Sequence, residues 1–230
     1  MLIKSCDQTI TSTEIMPLLQ RYGLLLQLAK EDIIDRAISQ IQCTPSELAI
    51  ASRLWQYQQT KSSDKESQRQ LIALAIRKLK LEKFKRQRWK NQVPAYFARR
   101  RKQLDRVVYS LVKAKTIEVA REIYFRLIEG EQTFSALKAD ADDPNLITLE
   151  ADGWVELGTL HPIIAKRLAH LEVGTIAAPQ AVNQEYVIMR LENYQAAVCD
   201  RLMHQRLVNE LFQVWLRGEL IKQNYRFSSS

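Results

Sequence analysis

The chain has 230 residues, of which 46% are hydrophobic and 26% charged, and carries a net charge of +8. That length supports one or two domains with real cores and no disulfide staples. Cys6, Cys43 and Cys199 are an odd set with no CxxC pair, which excludes a paired-thiol metal or redox motif and fits a reducing compartment.

The apolar residues between Met1 and Gln20 are interrupted by Cys6-Asp7-Gln8-Thr9 and Thr11-Ser12-Thr13-Glu14, so no signal-peptide core forms. No apolar run approaches the roughly 20 residues that span a bilayer. The expectation is a soluble, cytoplasmic protein. The charge is unevenly spread. Arg77 to Arg106 holds thirteen Lys or Arg against only Glu82 and Asp105, a local balance of +11 that leaves −3 for the rest.

Six Gly and six Pro in 230 residues favour helix over most of the length. Thr11-Ser12-Thr13-Glu14 predicts a capped helix to about Arg21, broken by Gly23. A second helix is predicted from Leu24 to Gln40, burying Leu24, Leu28, Ile33 or Ile34, Ala37, Ile38 and Ile41. Thr44-Pro45-Ser46-Glu47 opens a third, to about Gln58, with a capping threonine, proline at the first helical position and glutamate three residues on. After an exposed connection at Thr60 to Asp64, a long helix to about Asn91 points Leu71, Leu74, Ala75, Leu79, Phe84 and Trp89 toward a partner face. Pro94 resets the chain before a helical segment to Asp105.

Beyond Asp105 the period changes. Val107 to Val112 reads as a strand, and Thr116 to Glu129 as an amphipathic helix stopped by Gly130. A helical turn at Thr133 to Leu137 and an irregular loop from Ala139 to Ala151 follow. Then come a strand at Gly153 to Glu156, a helix from Pro162 to His170, and strands at Thr175 to Ala178 and Tyr186 to Leu191. A last helix, Ala196 to Ile221, carries Leu202, Leu207, Leu211, Phe212, Trp215 and Leu216.

This order over residues 105–193 resembles a parvulin domain, the small peptidyl-prolyl isomerase module. Glu122-Ile123 to Leu127-Ile128-Glu129-Gly130 with Phe134, Gly153-Trp154-Val155, Leu160-His161-Pro162-Ile163-Ile164, Val173-Gly174-Thr175-Ile176 with Pro179, and Tyr186 to Glu192 are similar to successive family segments. The resemblance implies a predominantly helical α+β fold. A helical, chaperone-like segment over 1–104 and a C-terminal helix over 194–230 would frame a parvulin-like domain with a four-stranded sheet. It also implies a foldase acting on proline-containing segments of unfolded or exported polypeptides, and a tie to export machinery.

Matching by position puts Tyr109 and Val187 where the family places its two histidines, and Asp143 at its cysteine-or-aspartate position. Tyr109 and Val187 remove the imidazole pair, whereas Asp143 matches the family. Leu160 and Ile164 take the places of its methionine and phenylalanine and would line an apolar slot for the proline ring, with Trp154 at the border. Tyr109 and Asp143 are therefore the candidate catalytic groups, and Leu160, Ile164, Trp154 and Val187 the candidate substrate contacts. The glycine-rich turn of the family becomes Glu150-Ala151-Asp152-Gly153. A non-catalytic peptide-binding chaperone or adaptor is the alternative.

His161, His170 and His204 match no metal-ligand spacing, and neither metal nor cofactor is expected. The basic segment, with Phe84, Trp89, Tyr96 and Phe97 interleaved, allows three readings: a solvated face, a patch for acidic proteins or anionic lipid, or a nucleic-acid grip. The solvated face is favoured, since aromatics at helical spacing anchor a helix to its neighbours.

Overall fold

The computed structural model describes residues 3–4, 9–10, 12–58, 65–139, 146–150 and 153–222. In chain order the elements begin with β1 (Ile3–Lys4), β2 (Thr9–Ile10), α1 (Ser12–Arg21), α2 (Leu24–Ile38), α3 (Pro45–Gln58), α4 (Lys65–Trp89) and α5 (Val93–Leu104). There follow β3 (Arg106–Ala114), α6 (Ile117–Glu129), α7 (Phe134–Ala139), β4 (Leu146–Glu150), β5 (Val155–Glu156), α8 (Pro162–Leu168), β6 (Ile176–Val182), β7 (Glu185–Gln195) and α9 (Arg201–Lys222). The chain forms two compact units, one of Met1–Val93 with Arg201–Ser230 and the other of Pro94–Asp200. The boundaries expected at 104 and 193 thus fall at 93 and 200, because α5 and the segment after β7 belong with the sheet.

The first unit is helical. Its best local signal is realised in full: the Thr44 N–H donates to Glu47 Oε2 at 2.8 Å, and the Glu47 N–H donates to Thr44 Oγ1 at 3.3 Å. This reciprocal pair satisfies two amide groups that the start of α3 would otherwise leave open. Helices α2, α4 and α9 pack together around Ile33, Ile34, Ile38, Trp89, Phe212 and Leu216. The aromatic rings meet at angles, with Phe84 and Trp89 edge to face at 5.5 Å and Trp89 and Phe212 at 5.9 Å. The stripe on α2 departs from the expected one in its first half only. Leu24 and Leu28 are 47% and 57% exposed, whereas Ala29, Ile33, Ile34 and Ile38 are buried. Leu74 and Leu202 are also exposed.

The second unit is a sheet between helices. Strands run in the order β4-β3-β7-β6, all antiparallel, with β5 paired to one end of β3. The path β4-β3-β7-β6 is the four-stranded sheet expected; β4 lies where an irregular loop was expected, and β5, at the strand expected over Gly153 to Glu156, pairs only with one end of β3. Alternation divides the sheet into two faces. One carries Val112, Ala114 and Ile188 against Ala120, Ile123 and Leu127 of α6 and Phe134 of α7. The other carries Val107, Leu111, Val187, Met189 and Leu191 against Ile164 and Leu168 of α8. Helix α6 is cut to length by its caps: Thr116 Oγ1 accepts the Val119 N–H, and Gly130 takes a φ of 77° that a side chain would resist.

Candidate functional site

The second sheet face is where four of the six positions singled out in the sequence come together. Tyr109 of β3, Val187 of β7, Ile164 of α8 and Leu160, in the bend before α8, all belong to one apolar cluster. Their depths differ. Val187 is wholly buried and Ile164 is 9% exposed, while Tyr109 and Leu160 remain partly accessible. Val187 therefore offers no surface to a ligand and serves as floor beneath the others. Leu168, Ala177 and Met189, which sequence reasoning did not single out, complete that floor. The signal for Met189 was present, since Val187, Met189 and Leu191 alternate on one face of β7.

Two local irregularities aim these side chains. The β3–β7 register slips between Val108 and Tyr109, so that Val108 faces Asn193 while Tyr109 faces Leu191, which leaves Glu192 as the extra residue. The bulged Glu192 is held by Ser110 Oγ at 2.6 Å and by Arg190 Nε at 2.7 Å. A bulge increases local twist and re-aims its neighbours, here beside Tyr109. A second slip, in β6 between Ala177 and Gln180, contains Pro179. Proline lacks the amide needed for a ladder bond and is tolerated there because β6 is an edge strand.

Leu160 is placed from behind. The 3-10 turn Leu157–Thr159 is tied to the start of β3 by the Leu157 N–H, which donates to the Asp105 carbonyl at 2.9 Å. Gly158 lies so close to the end of α5 that an added Cβ would sit 2.9 Å from the Gln103 carbonyl oxygen. Helix α8 then starts at Pro162, with the His161 ring accepting the Ile163 N–H. Asp105 also holds the far end of β7: its carboxylate accepts the Tyr194 hydroxyl at 2.6 Å and the Ala197 N–H at 2.8 Å. Sequence reasoning missed this group, whose one cue was an acidic residue directly before a strand in a basic stretch.

Two candidates remain, Trp154 and Asp143. Trp154 is 39% exposed and outside the cluster, with the Arg106 guanidinium 5.9 Å from its ring. Asp143 lies outside the described residues. Burial pushes the Tyr109 hydroxyl above the usual tyrosine range, so at neutral pH it is a protonated donor. It has no hydrogen-bond partner among the described residues. The face thus offers an apolar surface with one hydroxyl and no imidazole. Among the described residues no group of His, Cys, Asp and Glu is placed to hold a metal ion.

An α+β fold with a four-stranded antiparallel sheet framed by helices is what the resemblance to parvulins implied, and α6 and α7 on one face with α8 on the other is how this chain builds it. Solved structures similar to the chain are peptidyl-prolyl isomerase foldases and related chaperones. The peptidylprolyl isomerase PrsA of Bacillus cereus is 17% identical with a TM-score of 0.48, over 99% of this chain and 93% of that one. PrsA of Bacillus anthracis is 15% identical with a TM-score of 0.46, over 90% of this chain and 100% of that one. A SurA-like chaperone of Campylobacter jejuni is 17% identical with a TM-score of 0.34, over 99% of each chain. No family model matches the sequence, and no curated protein does.

Proposed function

We propose that the chain is a parvulin-type foldase that binds proline-containing segments of unfolded or exported polypeptides on the face formed by Tyr109, Leu160 and Ile164. The observation that carries this reading is the convergence of Tyr109 with Leu160 and Ile164, distant from it in sequence, on one partly open apolar face whose floor is Val187. Isomerisation breaks no covalent bond; its barrier, about 18–20 kcal/mol, is rotation about a conjugated amide. A site lowers that barrier by binding the twisted amide better than the planar one. In this chain Leu160 and Ile164 would hold the proline ring and exclude water, and the Tyr109 hydroxyl would donate to the peptide as conjugation is lost.

The absence of ring nitrogens at positions 109 and 187 favours a second reading, in which the same face binds peptide without turnover. Magnetisation-exchange NMR on a proline peptide separates the two. Catalysis predicts exchange above the uncatalysed rate, lowered roughly tenfold by Tyr109→Phe, the effect of one lost hydrogen bond. Exchange at background, with peptide binding that survives Tyr109→Phe and is lost in Leu160→Asp, establishes the non-catalytic form. No peptide binding by the folded protein rejects both.

We also propose a cytoplasmic location and a link to export. The location is supported by Cys43 and Cys199, which are free thiols, and is tested by fractionation of the native host. The export link rests on the sequence resemblance and is tested by the secretion profile of a deletion strain. No described helix is long and apolar enough to cross a membrane.

A further inference from the structure

Helices α4 and α9 of the first unit form an open cavity of about 230 Å³ lined by Glu82, Arg86, Arg201, His204, Gln205 and Val208. The spacing explains the lining. Glu82 and Arg86 are four apart on α4, and Arg201, His204, Gln205 and Val208 fall at intervals of three, one and three on α9, so each set occupies one face of its helix. Lys85 is buried and spans the two helices, donating to Glu82 Oε1 at 2.9 Å and to Asn209 Oδ1 at 3.1 Å.

The charge inside is not balanced. Lys85 neutralises Glu82, which leaves the guanidinium groups of Arg86 and Arg201 uncompensated; neither has an ion-pair partner among the described residues. His204 and Gln205 add side-chain donors without adding an acid. The first turn of α9 contains no acidic residue, and Asp200, directly before it, is already engaged and does not line the cavity. Two forked cations and two further side chains able to donate, around a concave space, suit a small oxyanion, which accepts several charge-assisted hydrogen bonds at once.

We propose that this cavity is an oxyanion site that takes a phosphate or carboxylate group between Arg86 and Arg201. Such a site lies outside the polypeptide-binding face and does not depend on it. Isothermal titration of the full chain with inorganic phosphate, and separately with acetate, at matched ionic strength tests it. Saturable binding of at least one anion is expected, weakened roughly tenfold or more by Arg86→Gln and by Arg201→Gln, each of which removes a charge-assisted bond. Arg121→Gln, the same charge change on α6, should leave it unaltered. Phosphate alone binding identifies a phosphate group as the ligand, and acetate binding equally well identifies a carboxylate. Binding of neither anion, or equal weakening by Arg121→Gln, overturns the proposal. Arg86 and Arg201 are exposed, so far-UV circular dichroism of both variants should match the parent.

Discussion

Removing the Asp105 carboxylate should loosen the sheet unit more than any other single polar deletion in it. Asp105 is 6% exposed and its carboxylate accepts from two donors: the Tyr194 hydroxyl and the buried backbone N–H of Ala197. In Asp105→Ala the Ala197 amide is left without an acceptor, which costs about 1–3 kcal/mol, and the lost bond to Tyr194 costs about 1 kcal/mol because that partly exposed hydroxyl can turn to water. The sum is near 3 kcal/mol, which corresponds to amide exchange faster by on the order of 100-fold in β3 and β7 wherever exchange reports unfolding of the unit. Hydrogen exchange read by mass spectrometry, with urea melts alongside, measures it. Asp105→Asn keeps one acceptor for Ala197 and should lose about 1 kcal/mol. Acceleration of less than threefold in Asp105→Ala, or Asp105→Asn as damaging as Asp105→Ala, would refute the assignment of the Ala197 bond as the main contribution.

Tyr194 gives a pH signature of the same contact. Its hydrogen bond to Asp105, then burial, then the Asp105 charge raise its pKa above the usual tyrosine value. The neutral hydroxyl is therefore the stabilising form, present in full below about pH 10 and lost as pH rises through the folded value. Tyr194 is 41% exposed, so the effect is screened and small. The urea midpoint of the parent should exceed that of Tyr194→Phe at pH 8 and approach it at pH 11; an unchanged gap would contradict the reasoning. In the helical unit, Trp89→Ala removes a 4% exposed ring from the centre of the aromatic cluster and should cost about 3–5 kcal/mol, read by chemical denaturation with loss of near-ultraviolet dichroism. Gly158→Ala puts a methyl against the Gln103 carbonyl and should cost about 1–3 kcal/mol while lowering peptide affinity, since the turn that carries Leu160 must move; unchanged affinity would show that Leu160 is placed by something else.

The sequence was most legible where one residue type has one physical use. Thr44 and Glu47 as a capping box, Gly130 with positive φ and Pro162 at a helix start each mark a boundary that the structure keeps. Reading failed where several residues served equally well. Leu24-Leu25-Leu26-Gln27-Leu28-Ala29 is apolar on every side, so periodicity could not choose a face, and contact with α4 and α9 chose one through Ala29, Ile33, Ile34 and Ile38. Strand β4 was hidden because Asp142-Asp143-Pro144-Asn145 dominates its window. Yet Leu146-Ile147-Thr148-Leu149-Glu150 is short and rich in β-branched residues, and it pairs Leu146 with Ala114 through to Glu150 with Ser110. The site was legible in part for the same reason: apolar positions follow from strand alternation, whereas the bulge at Glu192 and the close approach at Gly158 are tertiary facts.

The basic segment shows why a charge count does not convert into a surface. Arg77 pairs with Glu31 and Asp35 of α2, Lys83 with Glu47 of α3, and Lys85 is taken into the unit beside the Phe212 ring. Arg88 lies within 5.9 Å of the rings of Phe84, Trp89 and Trp215. Trp89 is itself buried and Phe84 packs beside it, so neither is available to stack on a base, which removes the aromatic half of a nucleic-acid reading for α4. Much of the charge on α4 is therefore structural: it fixes α2 and α3 in register on a long helix whose own apolar stripe is thin. Arg86 is different in kind, because it sits at a cavity beside Arg201 with no acid of its own. Exposed and solvated, that cation costs the fold little, and it is open to an anion in a way that Arg77, Lys83 and Lys85, each already paired with an acid, are not.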